Sequence, residues 1–359
     1  MKDPMDTKLR EERAWLVIGS LMVLAAVALA VAVVYTKPVM VPFVLAVFLV
    51  TIVSPGVDFL VVRWRFPRSL AITAALLLVL AVMTIFGVLI YTGFLEIGAK
   101  ATQYTDYFVT LADDSLGRVQ DSADISPAVK EAVANIRTKL IDELQAKLPA
   151  LLSGTVGTAL NLVSTGFLAI IFVVFLLAGR QSPPTTAGIY AEIETAIRRY
   201  VTTKFLISAA TGILVGLILW AFGLPMASLF GLLAFLLNFI PSIGSIIATL
   251  LPIPVAVAEF DNPWTILAVV ILPGSIHMFI GNVLEPKLMG EGLELHPVTV
   301  LLSLAAWGLL WGPIGMLLAV PITAMIRIVL MRFGTTRPMG ELLAGKLPGQ
   351  NQPNAAGRT

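Results

Sequence analysis

The chain has 359 residues, of which 58% are hydrophobic and only 13% are charged, and its mean hydropathy is +0.92. A water-soluble domain of this length would have too little polar surface to cover so much apolar material, so the composition indicates an integral membrane protein. The formal net charge is only +2 and the sequence has no basic run, which argues against a nucleic-acid partner. A sequence without cysteine excludes disulfides and thiolate-bound metals.

Eight apolar segments predict an all-α, polytopic integral membrane protein, because they are long enough to cross or enter a hydrocarbon layer about 30 Å thick. In chain order they are 15–35, 39–53, 69–95, 151–178, 203–222, 225–258, 263–281 and 298–330. The first is longer than the apolar centre of a cleaved signal peptide, so we expect it to remain as a span. The second is short and contains Pro42, so we expect it to tilt or to enter only partly, before a turn at Pro55-Gly56.

Basic residues cluster on one side of these segments and predict the orientation of the chain. Four precede the first segment, three lie between the second and third, four lie between or at the edges of the fourth and fifth, and five follow the last. Together they are 16 of the 24 basic residues, and they include Lys204 at the edge of the fifth segment. Both termini are therefore expected in the cytoplasm.

Residues 96–150 carry nine acidic and six basic residues and fall on the opposite, extracytoplasmic side. Ser126-Pro127 is a favourable helix start, and apolar residues then recur every three or four positions, which predicts an amphipathic helix. The chain is thus expected to comprise N-terminal transmembrane helices (1–95), a small extracytoplasmic helical segment (96–150), a core with broken helices (151–330) and a disordered cytoplasmic tail (331–359).

Two apolar stretches, 232–257 and 304–325, are interrupted in the same way. Each has an apolar run, then a Pro and an Ile-Gly pair, then a second run that ends at another Pro. Proline removes a backbone donor and glycine loosens a helix, so both stretches are expected to break within the membrane. Freed backbone groups are tolerated at that depth only beside protein or a water-filled cavity. Two such breaks at corresponding positions are typical of the binding site of a membrane transporter.

The segments that contain these breaks, 225–258 and 298–330, admit two topologies. Either each crosses once as a long kinked helix, or each folds back at its break as a re-entrant hairpin, with 263–281 as the only full crossing between them. Their lengths of 34 and 33 residues favour hairpins. Hairpins that enter from opposite faces would form an inverted repeat.

Candidate solute-binding residues gather at the first break, because polar groups inside a membrane face a cavity or a partner by default. They are Asn238, Pro241, Ser242, Gly244 and Ser245. Their amide, hydroxyl and backbone groups suit a small polar solute or a cation; the alternative is a structural kink that satisfies its own backbone. Three further candidates lie at the other motifs: Asn282, Pro313 and Gly315.

Gating or coupling is predicted for three titratable residues. Glu285 and Lys287 flank Pro286, which is expected to end the helix, and they would form either a gate or a plain ion pair at the membrane edge. His277 is the only histidine within a predicted span, and it would either carry a proton or bond a neighbouring helix. No metal site is expected, because His296 has no other metal ligands nearby.

Enzyme signatures are missing from the sequence. It contains no His-Glu-x-x-His, no Gly-x-Ser-x-Gly and no Gly-x-x-x-x-Gly-Lys-Ser/Thr motif, so it predicts neither an enzyme nor an ATP-driven pump. Any transport is expected to be passive or ion-coupled and to need no cofactor.

Three ordered motifs resemble those of one known family. They are Asn238-Phe239-Ile240-Pro241 with Gly244, Asn282 to Gly290 with Leu295-His296-Pro297, and Gly312-Pro313-Ile314-Gly315 with Pro321. Together they resemble the autoinducer-2 exporter (AI-2E) family of bacterial inner-membrane transporters, over nearly the whole chain. The resemblance implies passage of a small molecule, with the quorum-sensing signal autoinducer-2 as the namesake substrate. It also implies a homo-oligomer, with a pentamer expected.

Three functions remain open from the sequence. The first is an exporter or facilitator of a small polar solute through the broken-helix region. The second is a sodium/proton or other cation/proton antiporter, as some similar proteins are described, although the acidic residues near the core lie at span ends. The third is a non-transporting membrane scaffold, for which two interrupted helices would be an unexplained cost.

Overall fold

The computed structural model describes residues 4–121, 126–179, 189–289 and 295–346, and the regular structure in these ranges is entirely helical. In chain order the helices are α1 (Pro4–Tyr35), α2 (Lys37–Arg63), α3 (Arg68–Asp121), α4 (Pro127–Gly179), α5 (Ile189–Ala221), α6 (Ala227–Leu237), α7 (Ile243–Leu250), α8 (Ile253–Glu259), α9 (Pro263–Phe279), a π-helical turn (Ile280–Leu284), α10 (Glu285–Met289), α11 (Pro297–Trp311), α12 (Pro313–Arg332) and α13 (Arg337–Leu343).

Five helical stretches in the described ranges are long and apolar enough to cross a membrane: Lys37–Arg63, Arg68–Leu111, Ile197–Ala221, Pro263–Leu288 and Pro313–Arg332. Shorter apolar helices accompany them, at Gly19–Tyr35, Thr165–Gly179, Ala227–Leu237, Ile243–Glu259 and Pro297–Trp311. The chain is therefore a multi-pass, all-helical membrane protein.

The second apolar segment is longer than its sequence suggests. We expected a short span at 39–53 and a turn at Pro55-Gly56, and this was wrong: α2 is continuous and holds both Pro42 and Pro55 in its interior. Pro55 has no N–H to give to the Thr51 carbonyl one turn back. The Ser54 hydroxyl donates to that carbonyl at 3.4 Å instead, which is how membrane helices tolerate proline.

The segment between the third and fourth spans continues the helices that flank it. α4 begins at Pro127, where the Ser126-Pro127 pair predicts a helix start. Each of the two flanking helices joins an apolar part and a polar part without a break. α3 has 54 residues and α4 has 53. At 1.5 Å per residue each is about 80 Å long, far more than the hydrocarbon layer requires. Residues 96–121 and 127–150 are thus extensions of membrane helices.

The first interrupted stretch folds back on itself. We call α6, α7 and α8 hairpin 1, residues 227–259. At its start, the Met226 N–H donates to the Glu96 carboxylate at 2.9 Å; at its end, Tyr104 donates to the Glu259 carboxylate at 2.8 Å and Lys100 pairs with it. Because α3 holds both ends of hairpin 1, the chain leaves and returns at the same end of the bundle, which we call the Glu259 end.

The second interrupted stretch also folds back, as hairpin 2 (α11 and α12, residues 297–332). It reverses at Gly312, whose φ of 72° suits glycine, and Trp307 Nε1 donates to Thr323 Oγ1 between the two arms at 3.4 Å. The base of hairpin 2 is closed by the His296 N–H, which donates to the Leu343 carbonyl of α13 at 3.0 Å.

The two hairpins enter the bundle from opposite ends. Trp311, at the tip of hairpin 2, donates its indole N–H to the Val33 carbonyl at 3.1 Å, beside the junction of α1 and α2. α2 runs from that junction to the start of α3, and α3 then runs back to the Glu259 end. The tip of hairpin 2 therefore lies at the Glu259 end, and its base lies at the other end, which we call the Arg332 end.

The C-terminal segment differs from the expected disordered tail over its first part. α13 forms at Arg337–Leu343, where Gly340 is buried and Arg337 Nε lies 3.0 Å from the Glu341 carboxylate. The rest of the predicted tail, residues 347–359, lies outside the described residues.

Candidate functional site

The tip of hairpin 1 carries the main cluster of predicted solute-binding residues. Asn238 ends α6 and is buried, and its Nδ2 donates to the hydroxyl of Ser208 on α5 at 3.0 Å. Around it the tip packs in apolar surroundings: the Phe239 ring lies 5.7 Å from the ring of Phe48, and Ile240 packs against Leu304 and Ala319 of hairpin 2. A buried amide–hydroxyl pair therefore lies where the two hairpins meet.

This polar pair lies near the middle of the bundle. From Ser208 to Ala221, where α5 ends at the Glu259 end, the helical rise is about 20 Å. From Lys37 to Phe48, measured along α2 from the same end, the rise is about 17 Å. Both distances lie between about half and two-thirds of the roughly 30 Å hydrocarbon layer. The tip of hairpin 1 thus reaches mid-depth, whereas the tip of hairpin 2 continues to the Glu259 end.

Ser242 marks the tip with a strained backbone. Its φ of 61° lies in the left-handed region, which residues other than glycine adopt rarely, and its side chain is exposed. The Ser245 hydroxyl donates back to the Ser242 carbonyl at 3.0 Å. Conformations of this kind cost about 1–3 kcal/mol and concentrate at functional sites and switch regions.

A glycine at the tip of each hairpin allows the backbones of the two hairpin arms to touch. A Cβ on Gly244 would overlap with the Leu237 carbonyl oxygen, and a Cβ on Gly315 would overlap with that of Trp307. Both residues were predicted as solute-binding, and the structure gives each of them a packing reason to be glycine. Pro241 is half-buried at the first tip, and Pro313 is exposed at the second.

A row of polar residues on α5 extends from this pair in both directions, to Lys204 toward the Arg332 end and to Thr211 toward the Glu259 end. Lys204, Ser208 and Thr211 recur at four- and three-residue steps on one helix face, and all three are buried. Lys204 Nζ lies 2.5 Å from the Glu285 carboxylate of α10, and only 2% of the lysine side chain is exposed. We call Lys204, Ser208 and Thr211 the polar face of α5.

The pairing of Glu285 corrects the sequence prediction. Glu285 was expected to gate or pair with Lys287, but Lys287 is exposed and Glu285 binds Lys204 instead. Lys204 was counted among the basic residues at a membrane edge, and its burial was missed. The spacing from Lys204 to Ser208 and Thr211 on one helix face was the signal that could have revealed it.

The helix around Glu285 does not end at Pro286 as expected. The chain makes a π-helical turn at Ile280–Leu284 and then continues as α10 to Met289. Asn282 lies in this turn, exposed, and its Nδ2 donates to the Met278 carbonyl of its own helix at 3.0 Å. The structure therefore does not bring Asn282 to the tip of hairpin 1. Single π-helical turns are frequent at functional sites because they rotate the helix beyond them.

His277 lies one turn before the π-helical turn and is 6% exposed. Within the described residues neither of its ring nitrogens has a hydrogen-bond partner. From Pro263 at the Glu259 end, the helical rise to His277 is about 21 Å, which matches the depth of Ser208. A buried imidazole without a protein partner is rare, and water or a ligand commonly satisfies such a group.

Metal binding has no support in the ranges that the structure describes. No group of three or more His, Asp or Glu side chains there is arranged to hold an ion. The polar groups that do converge are an amide, hydroxyls and one ion pair, which suit hydrogen bonding to a solute better than coordination of a metal.

Two helical hairpins that meet at a polar pair inside a multi-pass helical bundle are an arrangement typical of membrane transporters. Comparison with known proteins gives the family: the model of the AI-2E family transporters matches residues 21–333, and the chain belongs to that family. It is accordingly a transporter-family protein and not an enzyme.

Characterised and uncharacterised relatives align over most of their length. The AI-2 transport protein TqsA of Escherichia coli K12 is 30% identical, over 86% of this chain and 90% of TqsA. A putative transport protein of Haemophilus influenzae is 31% identical, over 91% of this chain and 94% of that protein. The putative transport protein YhhT of Escherichia coli K12 is 28% identical, over 81% of this chain and 83% of YhhT.

Proposed function

We propose that this protein exports, or facilitates the passage of, a small polar solute past the tip of hairpin 1. The observation that carries the proposal is the buried Asn238–Ser208 pair at mid-depth, at the end of a hairpin that stops inside the bundle. A polar hairpin tip at this depth is costly unless it faces water or a ligand. Asn238 is bound to Ser208 through Nδ2, and its amide carbonyl remains an acceptor for a hydroxylated solute.

Autoinducer-2 is the solute that we propose. The name of TqsA, AI-2 transport protein, supports this choice, and so does the chemistry of the tip. An amide, two serine hydroxyls and the backbone of a broken helix are neutral donors and acceptors, which suit a small polyhydroxylated molecule. The described helices supply no acidic residue at the depth of Ser208. A sodium/proton or other cation/proton antiporter is therefore disfavoured, because it would need a carboxylate at that depth to bind the cation.

We further propose that hairpin 1 is re-entrant, that the Glu259 end faces outward and that both termini are cytoplasmic. The excess of basic residues around the Arg332 end supports this orientation. Movement of the hairpins relative to α5 would then expose the tip to each side in turn. Assembly as a homo-oligomer, with a pentamer expected, completes the proposal and follows from the family resemblance.

Labelled autoinducer-2 in reconstituted vesicles tests the proposed function. We expect efflux that is independent of sodium and pH gradients, and we expect Asn238→Ala to lower it about tenfold, because a lost buried hydrogen bond of about 1.4 kcal/mol corresponds to that factor. Pro241→Ala is expected to lower efflux as well, because a non-proline residue relaxes the break.

The matched control is Ser275→Ala, which removes an exposed hydroxyl that bonds only within α9, to the Ile271 carbonyl. It is expected to leave efflux unchanged. A response of sodium- or pH-sensitive dyes without solute efflux would support an antiporter instead. A preparation that is assembled and moves neither solute nor ions would support a scaffold.

A further inference from the structure

A cavity beside hairpin 1 is apolar, whereas the tip of hairpin 1 is polar. It measures about 490 Å³ and lies between α3, α5 and α6. Apart from Ser228, its lining side chains are apolar, and none of the residues assigned above to the solute site lines it. A polar solute would gain no hydrogen bonds there, so this cavity belongs to a different kind of ligand.

Three glycines create this cavity. Gly212 and Gly216 of α5 meet Gly231 of α6 so closely that a Cβ on Gly231 would lie 2.8 Å from the Gly212 carbonyl oxygen. The two helices therefore touch through their backbones, as small residues allow in membranes. Side chains of α3, α5 and α6 surround this contact and leave a groove beside it. The glycines have no side chains that could fill the groove.

The groove is long. It follows α5 from Phe205 to Trp220, a helical rise of about 22 Å. At mid-depth it is closed by Phe235, whose ring lies 5.4 Å from that of Phe86 and 5.6 Å from that of Phe205. The groove is thus closed at its inner end.

The groove opens toward the membrane along its outer rim. Ile213, Leu217 and Trp220 form this rim and are 61%, 55% and 73% exposed. α3 and α5, which supply most of the lining, are among the helices able to cross a membrane. Trp220 lies one residue before the end of α5, and tryptophan is enriched where lipid headgroups begin. The open side of the groove therefore faces lipid acyl chains, and the end of the groove at Trp220, toward the Glu259 end, faces lipid headgroups.

We propose that this groove binds one acyl chain of a membrane phospholipid, with its headgroup beside Trp220 and Ser228. The length of the groove and its apolar lining support an acyl chain as the occupant. A second copy of the protein fits poorly, because a stable protein interface takes about 20–30 residues on each partner and fourteen residues line the groove.

A bound chain would support hairpin 1 directly. α6 is both a wall of the groove and the arm of hairpin 1 that ends at Asn238. Phe235 closes the groove, and its ring lies 5.5 Å from that of Phe239, the neighbour of Asn238. Filling the groove therefore holds the arm on which the tip depends.

Photolabelling of the full-length protein in nanodiscs tests this site. The probe is a phosphatidylglycerol that carries a diazirine near the end of one acyl chain, and the labelled residues are mapped by mass spectrometry. We expect labels at Ala209 and Ile213 to exceed those at Leu214, which is exposed about 100° further around α5 and does not line the groove. Ala209→Phe fills the groove and is expected to lower groove labelling about tenfold, the effect of withdrawing about two methylene groups from burial.

Leu214→Phe is the matched control, because it places the same ring on the same helix outside the groove. It should leave groove labelling unchanged. Equal labelling of the two faces, or groove labelling that survives Ala209→Phe, would overturn the proposal. So would a photoreactive residue at position 213 that captures a second copy of the chain and no lipid. If Ala209→Phe does not fold, Ala209→Leu replaces it. The ratio of labels inside the groove to labels outside it, measured on the wild-type protein, tests the proposal without any variant.

Discussion

Alanine at Gly244 is expected to prevent the protein from folding to a stable state, although it adds only one methyl group. The added Cβ would overlap with the Leu237 carbonyl oxygen, lie 2.6 Å from its carbon and press against Ile240. Backbone atoms cannot move aside as a side chain can, so the tip of hairpin 1 must open. We expect a loss of about 3 kcal/mol or more, measured as a fall in thermal unfolding midpoint and in yield of monodisperse protein.

Gly315→Ala should behave in the same way at hairpin 2, because its Cβ would overlap with the Trp307 carbonyl oxygen. Two controls separate this effect from a general intolerance of glycine substitution. Gly281→Ala meets no heavy atom within 4 Å, and Gly308→Ala meets only the flexible side chain of Met316. Both are expected to change stability by less than about 1 kcal/mol. If Gly244→Ala were as stable as Gly281→Ala, the close hairpin described above would be incorrect.

Lys204→Met is the second substitution with a large expected effect. It leaves the Glu285 carboxylate without the ammonium group that lies 2.5 Å from it, at a site where the lysine is almost fully enclosed. Breaking a buried ion pair on one side costs about 3–5 kcal/mol, because the remaining charge is desolvated without compensation. We expect a lower unfolding midpoint and little solute efflux.

The double variant Lys204→Met with Glu285→Gln tests the physical cause. It leaves no uncompensated charge, so it should recover most of the stability lost in Lys204→Met alone. Lys287→Met, which removes an exposed ammonium group two residues from Glu285, should have little effect. A double variant as unstable as the single one would show that the lysine acts through packing and not through its charge.

Much of the fold follows from local sequence. The Pro and Ile-Gly elements identify both interrupted stretches, and the structure reverses the chain at residues 238–242 and at Gly312. Asn238 is conspicuous as an amide inside apolar sequence, and it is the residue that the structure buries against Ser208. These features are visible because each depends on the chemistry of a few neighbouring residues.

Features that depend on distant partners were missed. Pro55 was misread for a local reason: it looks like a helix end, but its neighbour Ser54 compensates for the lost donor within α2. Lys204 looks like a membrane-edge cation, and only the arrival of Glu285 from 81 positions away allows it to be buried. The apolar groove arises from three helices and from glycines that are unremarkable one at a time. Sequence separation, and not unusual chemistry, made the burial of Lys204 and the groove unpredictable.

The central claim is that the tip of hairpin 1 is hydrated inside the membrane and meets the solute. The chain has no cysteine, so a single Ser242→Cys can be probed without background in the intact protein. We predict that a membrane-impermeant maleimide labels Ser242→Cys in proteoliposomes at least ten times faster than Ile246→Cys, and that autoinducer-2 slows this labelling. Ile246 is 59% exposed one turn further along α7 and should face lipid, where the charged thiolate is suppressed. Equal, slow labelling at both positions, unaffected by the solute, would contradict the account.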